Sequence, residues 1–235
     1  MFVHGYIAPT IYKTTERYQD YVDYLARNGF VVFKIDLRGN GESEGDPGGA
    51  YYSGDYVIDT LNAYAALQSA EFVDPARVGL WGHSMAGNVT FRALVAKKDI
   101  PAVVIWAGAG YTYNDLQDYR ISDNSYRPPQ PNTAVASRRA QLRELHGEFS
   151  PTDPFWRQIV PTNYLEGVSG AVQINHAVND EVVSIEYSRN LMKLLADSQI
   201  EHELKEYSSG GHNLIETAFG QAMAATVEFY KNHLQ

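Results

Sequence analysis

One serine lies where its side chain could act as a nucleophile. Ser84 stands in "GHSMAG", between the apolar run "RVGLWG" and a segment of helical period that begins at Met85. This strand-turn-helix context fits a nucleophile elbow, whose strained backbone requires small neighbours. Gly82, Ala86 and Gly87 supply them, although Ala86 stands where the stricter pattern has glycine. The alternative is that Ser84 only caps the helix.

A serine hydroxyl is a weak nucleophile until a base takes its proton. His212, in the Gly-rich loop "SSGGHNL" after the last predicted strand, is placed for that role. Asp180, in "AVNDEVV" after the preceding predicted strand, could accept the Nδ1–H of this histidine. Glu181 is the alternative acid, and the structural alternative for both His212 and Asp180 is a role in their turns. Of the other histidines, His176 is predicted to be a hydrogen-bonded core residue.

The chemistry also needs donors for the oxyanion that forms during acyl transfer. The stretch "HGYIAP" follows the first predicted strand, and Gly5 lets its backbone come close to the serine. We therefore expect the amides of Tyr6 and Met85 to form a two-donor oxyanion hole, unless "HG" is an ordinary strand end. The N-terminus of the helix that begins at Met85 adds its positive dipole end.

Alternating strands and helices must position these residues. Short runs rich in Val, Ile and Phe alternate with segments of helical period, which is typical of a mostly parallel, doubly wound α/β sheet of about six strands. The predicted strands are 1–4, 30–37, 77–82, 102–108, 171–178 and 202–208. The predicted helices are 15–28, 54–69, 85–97, 185–198 and 213–233.

One interval, 111–166, interrupts this alternation. It has no strong strand, contains "RPPQP" and is rich in aromatic residues, so we expect a packed lid inserted into a core of residues 1–110 and 167–235. Four aromatic residues are candidates for lining a substrate pocket: Tyr111, Tyr113, Phe155 and Trp156. The alternative is that these rings only pack the lid onto the body.

Composition narrows the class of partner. The net charge of −9, with no basic run, argues against nucleic acid or an anionic membrane, and favours a small molecule. The chain has no cysteine, which removes disulfides, thiolate ligands and a cysteine nucleophile. No apolar segment approaches the roughly 20 residues of a membrane span, and no signal peptide is evident. We therefore expect a cytoplasmic protein by default, with a secreted origin left open.

The motifs "HGY", "DLRGNGES", "GHSMAG", "NDEVV" and "GGHN", in this order, resemble the α/β-hydrolase superfamily. The nearest likeness is to its prolyl-oligopeptidase-like and dienelactone-hydrolase-like members. This resemblance implies a triad of Ser84, Asp180 and His212, with Tyr6 and Met85 as oxyanion donors and no metal or organic cofactor. It favours a serine esterase for small or aromatic esters. The alternatives are an aminopeptidase or amidase, or a ligand-binding module without catalysis.

The resemblance also predicts the order of the strands. Members of this superfamily usually carry two strands before the "HG" strand, and we expect them to be absent here. The sheet should then run 4-3-5-6-7-8 in the family's numbering, in which the predicted strand at 1–4 is the third. The strand at 30–37 would lie at an exposed edge, which invites pairing with a second copy of the chain. We therefore expect either a homodimer through this edge or a shortened form of a longer precursor.

Overall fold

The apolar runs form a single parallel sheet, which has polar side chains at its carboxyl end. In the computed structural model, which describes residues 1–51, 53–123, 134–148 and 150–235, this sheet has six strands. They are Phe2–Val3 (β1), Lys34–Ile35 (β2), Leu80–His83 (β3), Ala102–Trp106 (β4), Ala171–Ala177 (β5) and His202–Tyr207 (β6). Their spatial order is β2-β1-β3-β4-β5-β6, and every pair is parallel. The predicted fold class and strand order are thus confirmed.

Helices cover both faces of this sheet. In the described ranges they are Gln19–Arg27 (α1), Asp55–Gln68 (α2), Met85–Lys97 (α3), Asp115–Asp118 (α4), Ala134–His146 (α5), Pro154–Arg157 (α6), Glu186–Ala196 (α7) and Thr217–His233 (α8). One core cluster packs α2, α3 and α7 on one face, and a second packs α1 and α8 on the other. Because both faces are covered, β3, β4 and β5 are buried along their whole length.

The edge strand is shorter than predicted. The run 30–37 forms a ladder only at Lys34–Ile35, because β1 offers only Phe2 and Val3 as partners. Val31 and Phe33 lie on this edge and are 65% and 39% exposed. Pairing of the edge with a second copy stays a prediction.

The 111–166 segment contains α4, α5 and α6 in its described part. Helix α6 begins where Asp153 caps the amides of Phe155 and Trp156. Nearer its start, Ile121 forms an isolated antiparallel bridge with Val183, beside the loop that carries Asp180. No helix in the described ranges has the length and apolar character that a membrane span needs.

Candidate active site

Ser84 occupies a strained turn between β3 and α3. Its backbone has φ 56° and ψ −121°, in the left-handed region that costs a residue with a side chain about 1–3 kcal/mol. Its N–H donates to the carbonyl of Trp106 on the neighbouring strand at 2.8 Å. Although Ser84 is the N-cap residue of α3, its side chain makes no capping hydrogen bond. The strain and the lack of a capping bond therefore argue against the capping alternative.

Small residues are required around this turn. A Cβ on Gly82 would lie 2.6 Å from the carbonyl oxygen of Ala86, and one on Gly87 would lie 2.7 Å from Ile105. Neither position has space for a side chain. The sequence pattern therefore reflects direct backbone contact between the strand, the turn and the first turn of α3.

Asp180 and His212 form a hydrogen-bonded pair at the carboxyl ends of β5 and β6. The Nδ1–H of His212 donates to Oδ2 of Asp180 at 2.8 Å, and the Asp180 side chain is fully buried. The other oxygen, Oδ1, accepts the amides of Val182 and Val183 at 2.8 and 2.9 Å. Asp180 thus both forms its turn and holds a histidine. Glu181, the alternative acid, is exposed.

The pKa of the Asp180 carboxyl reflects two opposing effects. Burial acts to raise its pKa, but hydrogen bonds from His176 and His212 outweigh burial and hold the pKa well below its usual range. Asp180 is therefore ionised at neutral pH. A buried carboxylate in this state fixes the tautomer of His212, with the hydrogen on Nδ1 and the lone pair on Nε2.

A chain of hydrogen bonds connects the loops that carry the candidate residues. The amide of Gly5 donates to the Tyr18 hydroxyl at 3.0 Å, and this hydroxyl donates to Nδ1 of His83 at 3.0 Å. Nε2–H of His83 then donates to the main-chain carbonyl of His212 at 2.9 Å. Burial, with the nearby His212, lowers the pKa of His83 to about 3, so its ring is neutral. The residue before Ser84 therefore anchors the loop that carries His212.

Within the described ranges, no hydrogen bond joins Ser84 Oγ to His212 Nε2. The His212 side chain is 14% exposed and its Nδ1 is bound to Asp180. Catalytic hydrogen bonds are often long without substrate and shorten only in the reacting complex. The triad as a whole stays a prediction.

The loop predicted to supply an oxyanion donor lies beside the serine. A Cβ on Gly5 would lie 3.3 Å from Cβ of Ser84, so the two backbones are in close approach. Tyr6, the next residue, is partly buried against the core. Met85 is the first residue of α3, and its amide has no acceptor within the helix. The oxyanion hole stays a prediction that this placement permits.

The four predicted lining rings differ in their surroundings. Tyr111 is fully buried and packs edge-on against Phe91 of α3. Trp156 is 5% exposed and donates from Nε1 to the carbonyl of His146, while Phe155 stacks on the His146 ring at 3.6 Å. Phe155 and Tyr113 are partly exposed. Packing therefore accounts for Tyr111 and Trp156, and contact of any of these rings with substrate stays a prediction.

Sequence reasoning missed two residues that contact this site. Tyr18 carried no signal, because its contacts are with residues distant in sequence. His176 was predicted to be a hydrogen-bonded core residue, and it is fully buried, but its partner is the carboxylate of Asp180. Its position four residues before Asp180, at the end of the same strand, was the signal available.

The model of the family described as "Serine aminopeptidase, S33" matches residues 1–137, which include Ser84 but neither Asp180 nor His212. The polyketide transferase claH of Penicillium crustosum is 32% identical over 124 residues. This match covers 53% of the chain and only 39% of that relative.

Solved structures resemble almost the whole chain. The Pyrococcus furiosus esterase Pf2001 has a TM-score of 0.68 at 19% identity, covering all of this chain and 82% of its own. Est1E of Butyrivibrio proteoclasticus, solved with ferulic acid bound, has a TM-score of 0.70 at 17% identity, covering 99% and 88%. A puromycin-hydrolysing peptidase of Mycobacterium tuberculosis has a TM-score of 0.70 at 21% identity, covering 99% of this chain but 33% of its own. At these identities the likeness shows the fold alone.

The strand order and the family match together place this chain in the α/β-hydrolase superfamily. Within the α/β-hydrolase superfamily, the chain belongs to the serine aminopeptidase S33 family, whose model matches more than half of its length.

Proposed function

We propose that this protein is a serine esterase that cleaves small or aromatic carboxylic esters through an acyl-enzyme. The observation that carries the proposal is the Asp180–His212 hydrogen bond of 2.8 Å, on a loop anchored to the residue before Ser84. A serine in a strained turn, with no capping bond, completes the set of groups that acyl transfer requires.

The proposed reaction has two halves, acylation of Ser84 and hydrolysis of the acyl-enzyme, and His212 transfers one proton in each half. Nε2 of His212 accepts the proton of Ser84 while Oγ bonds to the ester carbonyl carbon. The tetrahedral intermediate then collapses: the ester C–O bond breaks, and His212 gives its proton to the leaving alcohol. Water attacks the acyl-enzyme in the same way, releasing the acid and restoring Ser84. The Asp180 carboxylate stabilises the imidazolium formed in each half and remains ionised.

The oxyanion would lie between the amides of Tyr6 and Met85. The close approach of Gly5 to Ser84 supports this placement, because it brings the loop carrying Tyr6 to the start of α3. The α3 N-terminus adds its partial positive charge. Two such donors stabilise the developing charge by several kcal/mol in a dry site.

We assign residues 111–166 as a lid on a core of residues 1–110 and 167–235. Two contacts support this assignment: Arg138 of α5 binds the Asp55 carboxylate on α2, and Ile121 pairs with Val183 near the acid loop. Of the aromatic residues, Tyr113 and Phe155 are exposed enough to contact substrate, whereas Tyr111 and Trp156 are buried. The ferulic acid bound by the structurally similar Est1E supports an aromatic ester as substrate class.

A second function, cleavage of amide bonds, is favoured by two findings. The family model is described as a serine aminopeptidase, and a puromycin-hydrolysing peptidase shares the fold. An amide has a poorer leaving group than an ester, so its cleavage depends more on protonation by His212. Ester and anilide substrates with the same acyl group therefore distinguish the two activities.

The test is hydrolysis of p-nitrophenyl esters from acetate to palmitate, beside aminoacyl p-nitroanilides. The comparison uses wild type, Ser84→Ala and, as a matched control, Ser69→Ala at the exposed end of α2. We expect turnover that peaks at short chains, is lost in Ser84→Ala and is unchanged in the control. A fluorophosphonate should add one label to wild type and none to Ser84→Ala, as measured by intact mass.

Three other outcomes would contradict the proposal that the protein is an esterase acting through Ser84. Faster turnover of the anilides than of every ester would assign the peptidase instead. Absence of both turnover and label would favour a binding module, and equal turnover by wild type and Ser84→Ala would remove Ser84 from the reaction.

A further inference from the structure

A second histidine binds the carboxylate of Asp180. His176, at the end of β5, is fully buried, and its Nε2 lies 3.0 Å from Oδ2 of Asp180. This is the same oxygen that accepts Nδ1–H of His212 at 2.8 Å. We infer that His176 is a positioning residue for the proposed triad. It holds the carboxylate of Asp180, whose negative charge is then shared between the imidazoles of His176 and His212. The inference rests on the proposed function and names a residue outside its reacting groups.

The neighbours of His176 fix which atom carries its hydrogen. Nε2 also lies 3.1 Å from the carbonyl of Val183, so both groups near it are acceptors and Nε2 must donate. On the other side of the ring, Nδ1 lies 2.7 Å from Oγ of Ser188, whose hydroxyl can donate to it. A neutral imidazole satisfies every contact. His176 is therefore a hydrogen-bond donor held at both ends, by α7 and by the loop after β5.

Four donors thus surround Asp180, and they act on different oxygens. The amides of Val182 and Val183 hold Oδ1, while His176 and His212 share Oδ2. Removing the His176 donor leaves Oδ2 to His212 alone. The undivided charge would then hold the imidazolium of His212 more strongly.

Several ionisable groups surround His176, and a pH experiment must keep them in place. They come from β3, β6, α7 and the two loops of the proposed triad: His83, Glu206 with its partner Arg189, Asp180 and His212. Variants at position 176 leave all of them unchanged. A shift in the pH profile would therefore report the lost donor.

The test compares His176→Phe with His176→Gln in the full chain. Phenylalanine removes the donor, whereas the amide of glutamine can place an N–H near the position of Nε2. His202→Phe serves as a matched control, because His202 lies at the opposite end of β6 from the candidate site. Each protein is measured for kcat and KM of p-nitrophenyl acetate across pH. The His212 imidazole is titrated by NMR of histidine-labelled protein, with its signal assigned from a His212→Gln sample.

In His176→Phe we expect the acid limb of kcat/KM, and the His212 titration, to move to higher pH by about one unit. The loss should fall on kcat rather than KM, because His176 does not reach substrate in the proposed mechanism. His176→Gln should restore most of the wild-type midpoint, and His202→Phe should keep it. A merely structural role would lower activity equally at all pH values.

An unchanged His212 midpoint in folded His176→Phe would overturn the inference, even if wild type hydrolyses esters. If the wild type hydrolyses no ester, the proposed function fails, but the NMR titration still tests whether His176 and His212 share the carboxylate of Asp180. The two failures can therefore be distinguished. If His176→Phe does not fold, Ser188→Ala replaces it, because it releases the Nδ1 end of the ring. A smaller shift in the same direction supports the inference, and no shift overturns it.

Discussion

The substitution Asp180→Asn tests the acid of the proposed triad at a position where the surroundings fix the outcome. Oδ1 accepts two main-chain amides, so the asparagine carbonyl oxygen is held there and its NH2 takes the place of Oδ2. That NH2 then faces Nδ1 of His212 and Nε2–H of His176. The reverse orientation would point the NH2 at two amides that have no other tautomer.

The consequence is a change of tautomer in His212. Nδ1 must accept from the new NH2, so its hydrogen moves to Nε2, where the lone pair needed by Ser84 is lost. His176 keeps the carbonyl of Val183 as an acceptor, which limits the structural damage. We expect kcat/KM to fall about 10⁴-fold, roughly 5 kcal/mol of transition-state stabilisation. Loss of the buried carboxylate's hydrogen bonds should lower the free energy of unfolding by about 1–3 kcal/mol.

The assay is kcat/KM for p-nitrophenyl acetate at 25 °C, with urea unfolding of the same samples. Glu181→Gln is the control, since this exposed neighbour was the alternative acid and should retain activity within about threefold of wild type. If Asp180→Asn keeps a tenth of the activity, or if Glu181→Gln loses more, the assignment of the acid is refuted.

Three further predictions follow from contacts in and around the site. Gly5→Ala would place a methyl carbon 2.9 Å from the carbonyl of His83 and should lower kcat/KM about 10²-fold, because it displaces the oxyanion loop. His83, whose pKa is lowered from 6.5 to about 3, binds a proton only after unfolding, so urea unfolding should show stability falling from pH 6.5 towards 3, less steeply in His83→Gln. Arg138→Gln removes two hydrogen bonds to Asp55 and should speed trypsin cleavage in α5 while costing only about 0.5–1 kcal/mol of overall stability.

The parts predicted best from sequence are those fixed by local pattern. Helix α3 has the predicted bounds of 85–97, because a small-residue turn precedes it and Lys98, with φ 73°, ends it. The order of the strands also matched, because the resemblance to the α/β-hydrolase superfamily implied it. The short ladder of β2 could not be predicted from its own apolar run, because its length depends on the two residues that β1 supplies.

The residues of the candidate site also fall into two groups: those that a local pattern predicts and those that only the folded structure identifies. Asp180 and His212 could be predicted to lie near each other because each follows a predicted strand, and the two side chains do meet at the carboxyl ends of β5 and β6. Two residues support them through hydrogen bonds: Tyr18 lies just before α1, and His176 lies within β5. Neither position belongs to a sequence motif. The role of Tyr18 and His176 depends on the atoms that they contact in the folded chain, and the pattern of a single sequence does not predict such contacts.

These supporting contacts explain how loops distant in sequence keep one geometry. The Tyr18 hydroxyl can join the Gly5 and His83 loops only because a phenol both accepts and donates, and a phenylalanine there would leave a buried amide and a buried ring nitrogen without partners. His83 in turn must stay neutral to accept from Tyr18 and donate to the carbonyl of His212, and burial keeps it so. The loop carrying Tyr6, the turn at Ser84 and the loop carrying His212 are therefore linked by one continuous set of hydrogen bonds. Their relative positions can be held to the tolerance that acyl transfer demands without any contact from substrate.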